Sequence, residues 1–405
     1  MRILMLTGSL PYPPQQGGAL RSYGILHGLS QAGHEITLLS FHESTVDAAT
    51  TPLAAYCKRV ETLAPPRRPI SQRLRDLVLT HEPDLARRLY SEAFARCLQA
   101  ALRETPFDWV QAEGLEMGCY LPLVKSASPT TRVCYDAFNA EYALQQVMGS
   151  IDRGSLKRLP AALYSFLQSS RIMRFEQRIC QQAELVLAVS PEDAAELHKL
   201  CPSKHIPVVP NGIFVDRYEH STEQLDLGEA ALVFTGTMDY RPNVDAMLWF
   251  VNQVLPKIQA QVPEARLYIV GQKPHARLNA LRDQHGVYIT GRVPLVQPYL
   301  HSAGVYVAPL RMGGGTRLKI MEAMASGCAV VSTTIGASGL QGDARRAMVI
   351  ADSASEMAYK VVRLLQDPER RQGLGTAARE YVKAYYDWSV IIPQLLAVYG
   401  NERVE

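Results

Sequence analysis

Short apolar runs separated by helical patterns recur from one end of the chain to the other, and no other feature constrains the fold as tightly. "RILMLT", "EITLLSF", "DWVQAE", "TRVCYDA" and "ELVLAVS" come first, and "ALVFTG", "ARLYIVG", "VYIT", "GVYVAPL" and "AVVSTT" follow in the second half. Continuously apolar strands are covered on both faces, and strands separated by helices pair in parallel. The fold class is therefore α/β, doubly wound. At 405 residues the chain is too long for one core, and the runs fall into two series, so two domains are expected.

Between the series lies "VVPNGIFVDRYEHSTEQLDLGEA", residues 208–230, whose Pro-Asn-Gly turn and polar tail break the periodicity. This places a first domain at 1–215, a linker at 216–230 with its hinge near Asp216 to Gly228, and a second domain at 231–386. The last helical pattern starts at Asp387 and needs an apolar surface; residues 387–405 are expected to cross back onto the first domain. Two open α/β domains would face a central cleft at the carboxyl ends of their strands, where ligands bind in such sheets. Functional residues are sought in loops that follow strands.

Composition narrows the class. A hydrophobic share of 47% and a charged share of 20% suit a globular protein. No segment approaches the roughly 18 consecutive apolar residues of a membrane span. "MRILMLTGSLPYPP" starts like a signal peptide, but its apolar run is short and prolines follow, so a buried first strand without export is expected. The seven cysteines never form a C-x-x-C pair, which argues against a disulfide framework or a zinc knuckle and for a reducing cytoplasm. A net charge of +3 does not imply nucleic acid. His27, His34 and the other histidines show no metal-ligand spacing.

The strand "GVYVAPL" runs into Arg311, Met312, Gly313, Gly314 and Gly315, and Thr316 is placed to cap a helix reaching about Ser326, where Gly327 stops it. Glycines let a ligand approach the backbone, and a helix start offers free N–H groups and partial positive charge, so the loop is a candidate phosphate site. Arg317 and Lys319 in the first turn oppose the helix dipole, which an anion would compensate. Glu322 lies three residues after Lys319, and a carboxylate can accept two hydroxyl hydrogen bonds, as from a ribose. The same pattern also fits a surface helix with a Glu-Lys pair.

Other pieces surround this stretch: "PYPPQQGGALRSYGILHGLSQAGHEITLLS", "DAFNAEY", "AELVLAVSPEDAAEL", "VVPNGIFVDRY", "FTGTMDYRPNVDAMLWFV", "LYIVGQKP" and "VYITGRVPLVQPYLHSAGVYVAPL". In this order and at these separations they resemble family 4 of the retaining nucleotide-sugar glycosyltransferases. The resemblance implies a GT-B fold of two Rossmann-like domains, with the donor in the second and the acceptor on the first. It also implies that Glu322 holds the donor ribose and that Gly313, Gly314, Gly315 and Thr316 face the diphosphate and sugar. The family's usual second glutamate, eight positions before Glu322, is here Gly314. The Arg and Lys that often follow "FTG" are missing as well, with Met238 and Asn243 nearby, so Arg317 and Lys319 are the candidates for catalytic positive charge. Gly236 and the loop carrying Arg292 and Val293 would line the phosphate and nucleobase positions. "VGQKP", Val270 to Pro274, ends a further strand in the same cleft.

On the first domain the resemblance brings Gly17 and Gly18 close to the donor phosphates. Arg21, one turn inside, is a candidate for phosphate or acceptor. "DAFNAEY" offers Asp136, Asn139 and Glu141 on the acceptor side, and Glu113 ends the strand "DWVQAE". Glu113 and Asp136 rank first as groups assisting deprotonation, although each acid can also cap a helix.

Transfer with retention would let the leaving diphosphate help take the acceptor proton, while closure over the donor excludes water. No Asp-x-Asp pair occurs in the chain, so no metal or other cofactor is expected. The acceptor would be a glycan, lipid-linked or small-molecule hydroxyl. Ile151 to Ile179 and Pro65 to Leu79 are basic and apolar, which allows peripheral contact with an anionic membrane at its inner face. A silent nucleotide-sugar binding module and a sugar-nucleotide epimerase remain open. A dehydrogenase is disfavoured because G-x-G-x-x-G is absent.

Overall fold

The structure is a computed structural model and describes residues 1–14, 17–43, 50–152, 159–220, 223–313 and 317–401. The chain divides into two compact units, one from Met1 to Asn211 completed by the segment from Ile392, the other Gly212–Ile391.

The first unit holds β1 (Arg2–Thr7), β2 (Glu35–Phe41), β3 (Arg59–Leu63), β4 (Trp109–Glu113), β5 (Arg132–Ala137) and β6 (Leu185–Ala188), in the order β3-β2-β1-β4-β5-β6. All its pairings are parallel. The second holds β7 (Ala231–Thr235), β8 (Arg266–Val270), β9 (Val287–Gly291), β10 (Val305–Ala308), β11 (Val330–Ser332) and β12 (Val349–Ile350), in the order β12-β11-β10-β7-β8-β9. Counted from its own first strand, each sheet runs 3-2-1-4-5-6, the doubly wound order whose switch point lies between β1 and β4 and between β7 and β10. The fold class is as expected.

Alternation along the strands explains why both faces are covered. In the second unit Leu232, Phe234, Leu267, Ile269, Val305 and Val307 join one apolar cluster. Val233, Tyr268, Val270, Tyr306 and Ala308 join the other. Successive side chains point to opposite faces, so every central strand must be apolar throughout.

Residues 216–230 are not a free linker. Val215, Tyr218 and Leu227 are buried in the second unit's core beside Tyr306 and Ile320. The division falls at Asn211, on the Pro-Asn-Gly turn itself. Beyond it the chain is tied in at once: Ile213 N–H donates to Tyr386 O at 2.8 Å and Trp388 N–H donates to Ile213 O at 3.2 Å.

The C-terminal helix, Trp388–Asn401, starts in the second unit and ends in the first. Ile392 lies so close to the Gly17–Gln31 helix that a Cβ at Gly28 would stand 2.1 Å from its Cγ1. Tyr399 is fully buried, with its ring 5.1 Å from that of Trp109, and its hydroxyl donates to Gln111 Oε1. Among the described residues no helix is long and apolar enough to cross a membrane.

Candidate functional site

In the second unit the loops after β7, β8 and β9 touch through their backbones. Gly236 N–H donates to Val270 O at 3.0 Å, and Gly271 N–H donates to Gly291 O at 3.1 Å. Gly236 and Gly271 have φ of +153° and +154°, and a Cβ on Gly271 would sit 1.7 Å from Gly236 O. Only glycine fits such a crossing. It holds the carboxyl ends of three strands together and leaves bare backbone there.

The helix after β10 is Leu318–Ala325, closed by Ser326 and by Gly327 at φ +75°. Its N-cap is Arg317, with no side-chain cap bond, and not Thr316 as expected. Thr316, Gly314 and Gly315 lie outside the described residues. Arg317 is buried, and its guanidinium nitrogens come within 3.3 Å of where a Gly313 Cβ would be. Gly313 takes φ +107°, which leaves the guanidinium that room. Burial lowers the Arg317 pKa, with Tyr240 partly opposing.

Lys319 points back over the β7 end. Its Nζ donates to Asn243 Oδ1 at 2.6 Å, lies 4.6 Å from the Phe234 ring centre, and is 2.7 Å from the Cβ position of Gly236. Asn243 Nδ2 donates to Thr237 O at 2.8 Å, so the carboxamide is oriented from both ends. Burial first, and the Arg317 charge second, bring the ammonium pKa down to about 7, with Glu322 opposing. Asn243 thus holds the Lys319 side chain in place.

Glu322 Oε1 accepts a 2.8 Å hydrogen bond from the Tyr218 hydroxyl. Burial raises its pKa, while Tyr218 and Lys319 pull it down. Lys319 and Glu322 both keep partial solvent exposure, so a ligand can reach them. Arg292 is exposed just past Gly291, and Val293 is half-buried against the core. Arg311 is engaged elsewhere, paired with Asp245 at 2.8 and 3.0 Å.

Tyr218 escaped the sequence reading because "FVDRY" was assigned to the linker. Its aromatic ring in a polar stretch was the available signal.

In the first unit Arg21, Glu113 and Asp136 are drawn into the interior, whereas Gly17 is exposed and Gly18, Asn139 and Glu141 are half-buried. Gly17 and Gly18 open the Gly17–Gln31 helix, with Phe138 2.9 Å from a Cβ at Gly18. Arg21 is buried and donates to Asp136 through Nε at 2.7 Å and Nη2 at 2.6 Å, and through Nη1 to Val209 O at 2.8 Å and Asn211 Oδ1 at 3.2 Å. Glu113 accepts from Ser22 Oγ at 2.7 Å and Gln111 Nε2 at 2.6 Å. Burial, and then the Asp136 charge, push Glu113 up to about 8. Arg21, Asp136 and Glu113 therefore form a buried polar network and do not present ligand-facing groups. Sequence spacing carries no signal for this grouping of the Gly17–Gln31 helix, β4 and β5.

Glu141 is different. It is half-buried, its Oε1 accepts from Asn139 Nδ2 at 3.4 Å, and burial, with Glu116 second, raises it to about 7. The helix it opens is capped by Glu176, another unanticipated residue, which accepts from Glu141 N–H at 3.0 Å and Tyr142 N–H at 2.9 Å. Several arginines of the basic segments are neutralised: Arg68 pairs with Asp76 at 2.9 Å, Arg73 with Asp84 at 3.3 Å and Arg178 with Glu82 at 2.8 Å. Arg153, Lys157 and Arg158 lie outside the described residues.

Two Rossmann-like sheets, the second with a glycine crossing, a half-buried lysine and a tyrosine-held carboxylate at its strand ends, make up a GT-B architecture. Residues 16–217 match the family described as Glycosyltransferase Family 4, and residues 229–367 match Glycosyl transferases group 1. The chain belongs to the family 4 glycosyltransferases. It is 21% identical to an uncharacterized 44.6 kDa protein in the cps region of Klebsiella pneumoniae, over 95% of this chain and 96% of that one. It is 35% identical to a phosphatidyl-myo-inositol mannosyltransferase of Mycolicibacterium smegmatis, over 36% of this chain and 39% of that protein. Among solved structures, sucrose-phosphate synthase from Thermosynechococcus elongatus matches with a TM-score of 0.75, 17% identity and 99% coverage of both chains. Anabaena HepE in complex with UDP and glucose matches with a TM-score of 0.66 and 15% identity, over 99% of this chain and 100% of that one.

Proposed function

We propose that this glycosyltransferase moves a hexose from a nucleoside-diphosphate sugar to a hydroxyl of a glycan, lipid-linked or small-molecule acceptor, with retention and without a metal. The convergence of Lys319, Gly236 and Glu322 at the carboxyl end of β7 carries this reading. The diphosphate lies over Gly236 and the start of the Leu318–Ala325 helix, facing Lys319, and the ribose hydroxyls meet Glu322. HepE, of the same fold, was solved with UDP and glucose.

As the anomeric C–O bond breaks, negative charge gathers on the departing diphosphate. A preorganised ammonium and helix amides stabilise that charge more than the ground state. The acceptor oxygen bonds to the anomeric carbon on the face the diphosphate leaves, and its proton passes to a diphosphate oxygen. Strong enzymic base is not needed, in keeping with the burial of Glu113 and Asp136; Glu141 is the acid best placed to hold an acceptor hydroxyl. Among the described residues no group of three His, Cys, Asp or Glu side chains is arranged for a metal ion. Ile70 and Leu79, each 73% exposed on one helix with Arg75, support contact with a lipid-borne acceptor.

The test is a thermal-shift panel of nucleoside diphosphates and their hexose conjugates, followed by acceptor-dependent release of nucleoside diphosphate with and without EDTA. Stabilisation by one base family and chelator-resistant turnover are expected. No stabilisation by any member would refute the donor site, and turnover lost to EDTA and restored by manganese would refute the metal-free mechanism.

A further inference from the structure

The second unit carries a cleft that the donor site does not use. It lies along β9, the outermost strand of its sheet, and measures about 490 Å³. Tyr268, Tyr288 and Tyr299 line it together with Asp226, Arg282 and Thr290. Asp226 precedes β7 and Arg282 precedes β9, and Val287 to Thr290 carry the lining along β9 to one residue short of Gly291.

The aromatic floor has a definite geometry. Tyr268 and Tyr288 sit side by side on adjacent strands, with ring centres 5.0 Å apart and planes 13° from parallel. Tyr268 is nearly buried, and its hydroxyl donates to Leu227 O at 3.1 Å, which fixes the ring. Tyr288 is 46% exposed. One face of Tyr288 is therefore taken by a held ring while much of the remainder meets solvent, an arrangement without the two-sided slot that would sandwich a planar base.

We propose that this cleft binds an unphosphorylated saccharide, one or two pyranose units of a glycan chain, independently of the donor site. A pyranose has an apolar C–H face and a rim of hydroxyls. The face lies on Tyr288, where burying it is favourable, and the hydroxyls reach the exposed Asp226 and Arg282 and the half-buried Thr290. A carboxylate accepts from two hydroxyls, and a guanidinium donates to others in a fixed fork. One acid and one base in the lining leave no surplus positive charge for a phosphate, which argues against a nucleotide or a phosphosugar. The volume falls within the range of about 300–1,000 Å³ usual for small-ligand sites. Such a site would keep a glycan tethered to the enzyme through a second point of attachment and raise its local concentration. This goes beyond the proposed transfer and does not depend on it.

The test uses the full chain with maltotetraose, cellotetraose and α-1,6-mannotetraose, in saturation-transfer difference NMR and titration calorimetry. At least one oligosaccharide is expected to bind the wild type with a millimolar Kd, with Tyr288→Ala weakening it at least tenfold and Asp226→Asn several-fold. Tyr288→Ala should leave the thermal shift with UDP or GDP unchanged, whereas Lys319→Ala should lose the nucleotide shift and keep saccharide binding. Binding of none of the three, binding undiminished in both cleft variants, or displacement of the saccharide by UDP or GDP would each overturn the proposal. Loss of nucleotide binding alone would count only against the donor site.

Discussion

Tyr218 and Glu322, 104 residues apart in sequence, meet through a 2.8 Å hydrogen bond from hydroxyl to carboxylate. The phenol occupies one carboxylate oxygen and leaves the other for a ligand, so Tyr218 is a positioning residue for Glu322. Tyr218→Phe is expected to weaken nucleotide-sugar binding several-fold, about 1 kcal/mol for one lost hydrogen bond. Glu322→Ala should weaken it far more. Titration calorimetry against the preferred nucleoside diphosphate checks both; equal losses would mean that Tyr218 acts through packing.

If the proposed donor site is right, Lys319 links donor binding to protons. Its pKa, brought down to about 7 from the ordinary 10.5 by burial, means that the folded protein without donor binds fewer protons than the unfolded chain between those values. Stability should therefore rise with pH across that window, and Lys319→Met should abolish the rise. A bound diphosphate restores the ammonium, so binding near pH 8 should take up roughly one proton at Lys319. Calorimetry in buffers of different ionisation enthalpy measures it, with no uptake expected in Lys319→Met.

Glu113 has the opposite dependence. With its pKa raised to about 8 from 4.5, its contribution to stability is complete below pH 4.5 and is lost as pH rises through 8. Denaturant unfolding at several pH values should show that decline, and Glu113→Gln should flatten it. Arg21→Met, by contrast, leaves Asp136 charged and buried and is expected to cost about 3–5 kcal/mol, with much of that recovered when Asp136→Leu is added.

Ending the chain at Asp387 removes Ile392, Leu395 and Tyr399, all buried. At about 1.5–3 kcal/mol for each buried side chain, the loss is large. Hydrogen exchange should reveal it first in β1, β4 and the Gly17–Gln31 helix.

Ten of the twelve strands lie where apolar runs stand in the sequence. The two unanticipated ones, β3 with "RVETL" and the two-residue β12, are the outermost strands of their sheets, lacking a neighbour on one side. An edge strand buries less and carries charge or stays short, so its periodicity fades. The glycine crossing at the ends of β7, β8 and β9 is legible because the loops after these strands are marked by glycines. What escaped depended on contacts between distant segments: Tyr218 on Glu322, Asn243 on Lys319, Glu176 capping a helix, and the inward turn of Arg21 onto Asp136. In one dimension a buried ion pair and an exposed catalytic pair look alike.

The helix from Trp388 to Asn401 also sets an order of events during synthesis. Ribosomes make the first unit's sheet early, yet Trp109 and Gln111 wait for Tyr399, which is 288 residues beyond Gln111. The second unit is therefore made before the first can be completed, and until Tyr399 emerges the nascent first unit exposes apolar surface that a chaperone can occupy.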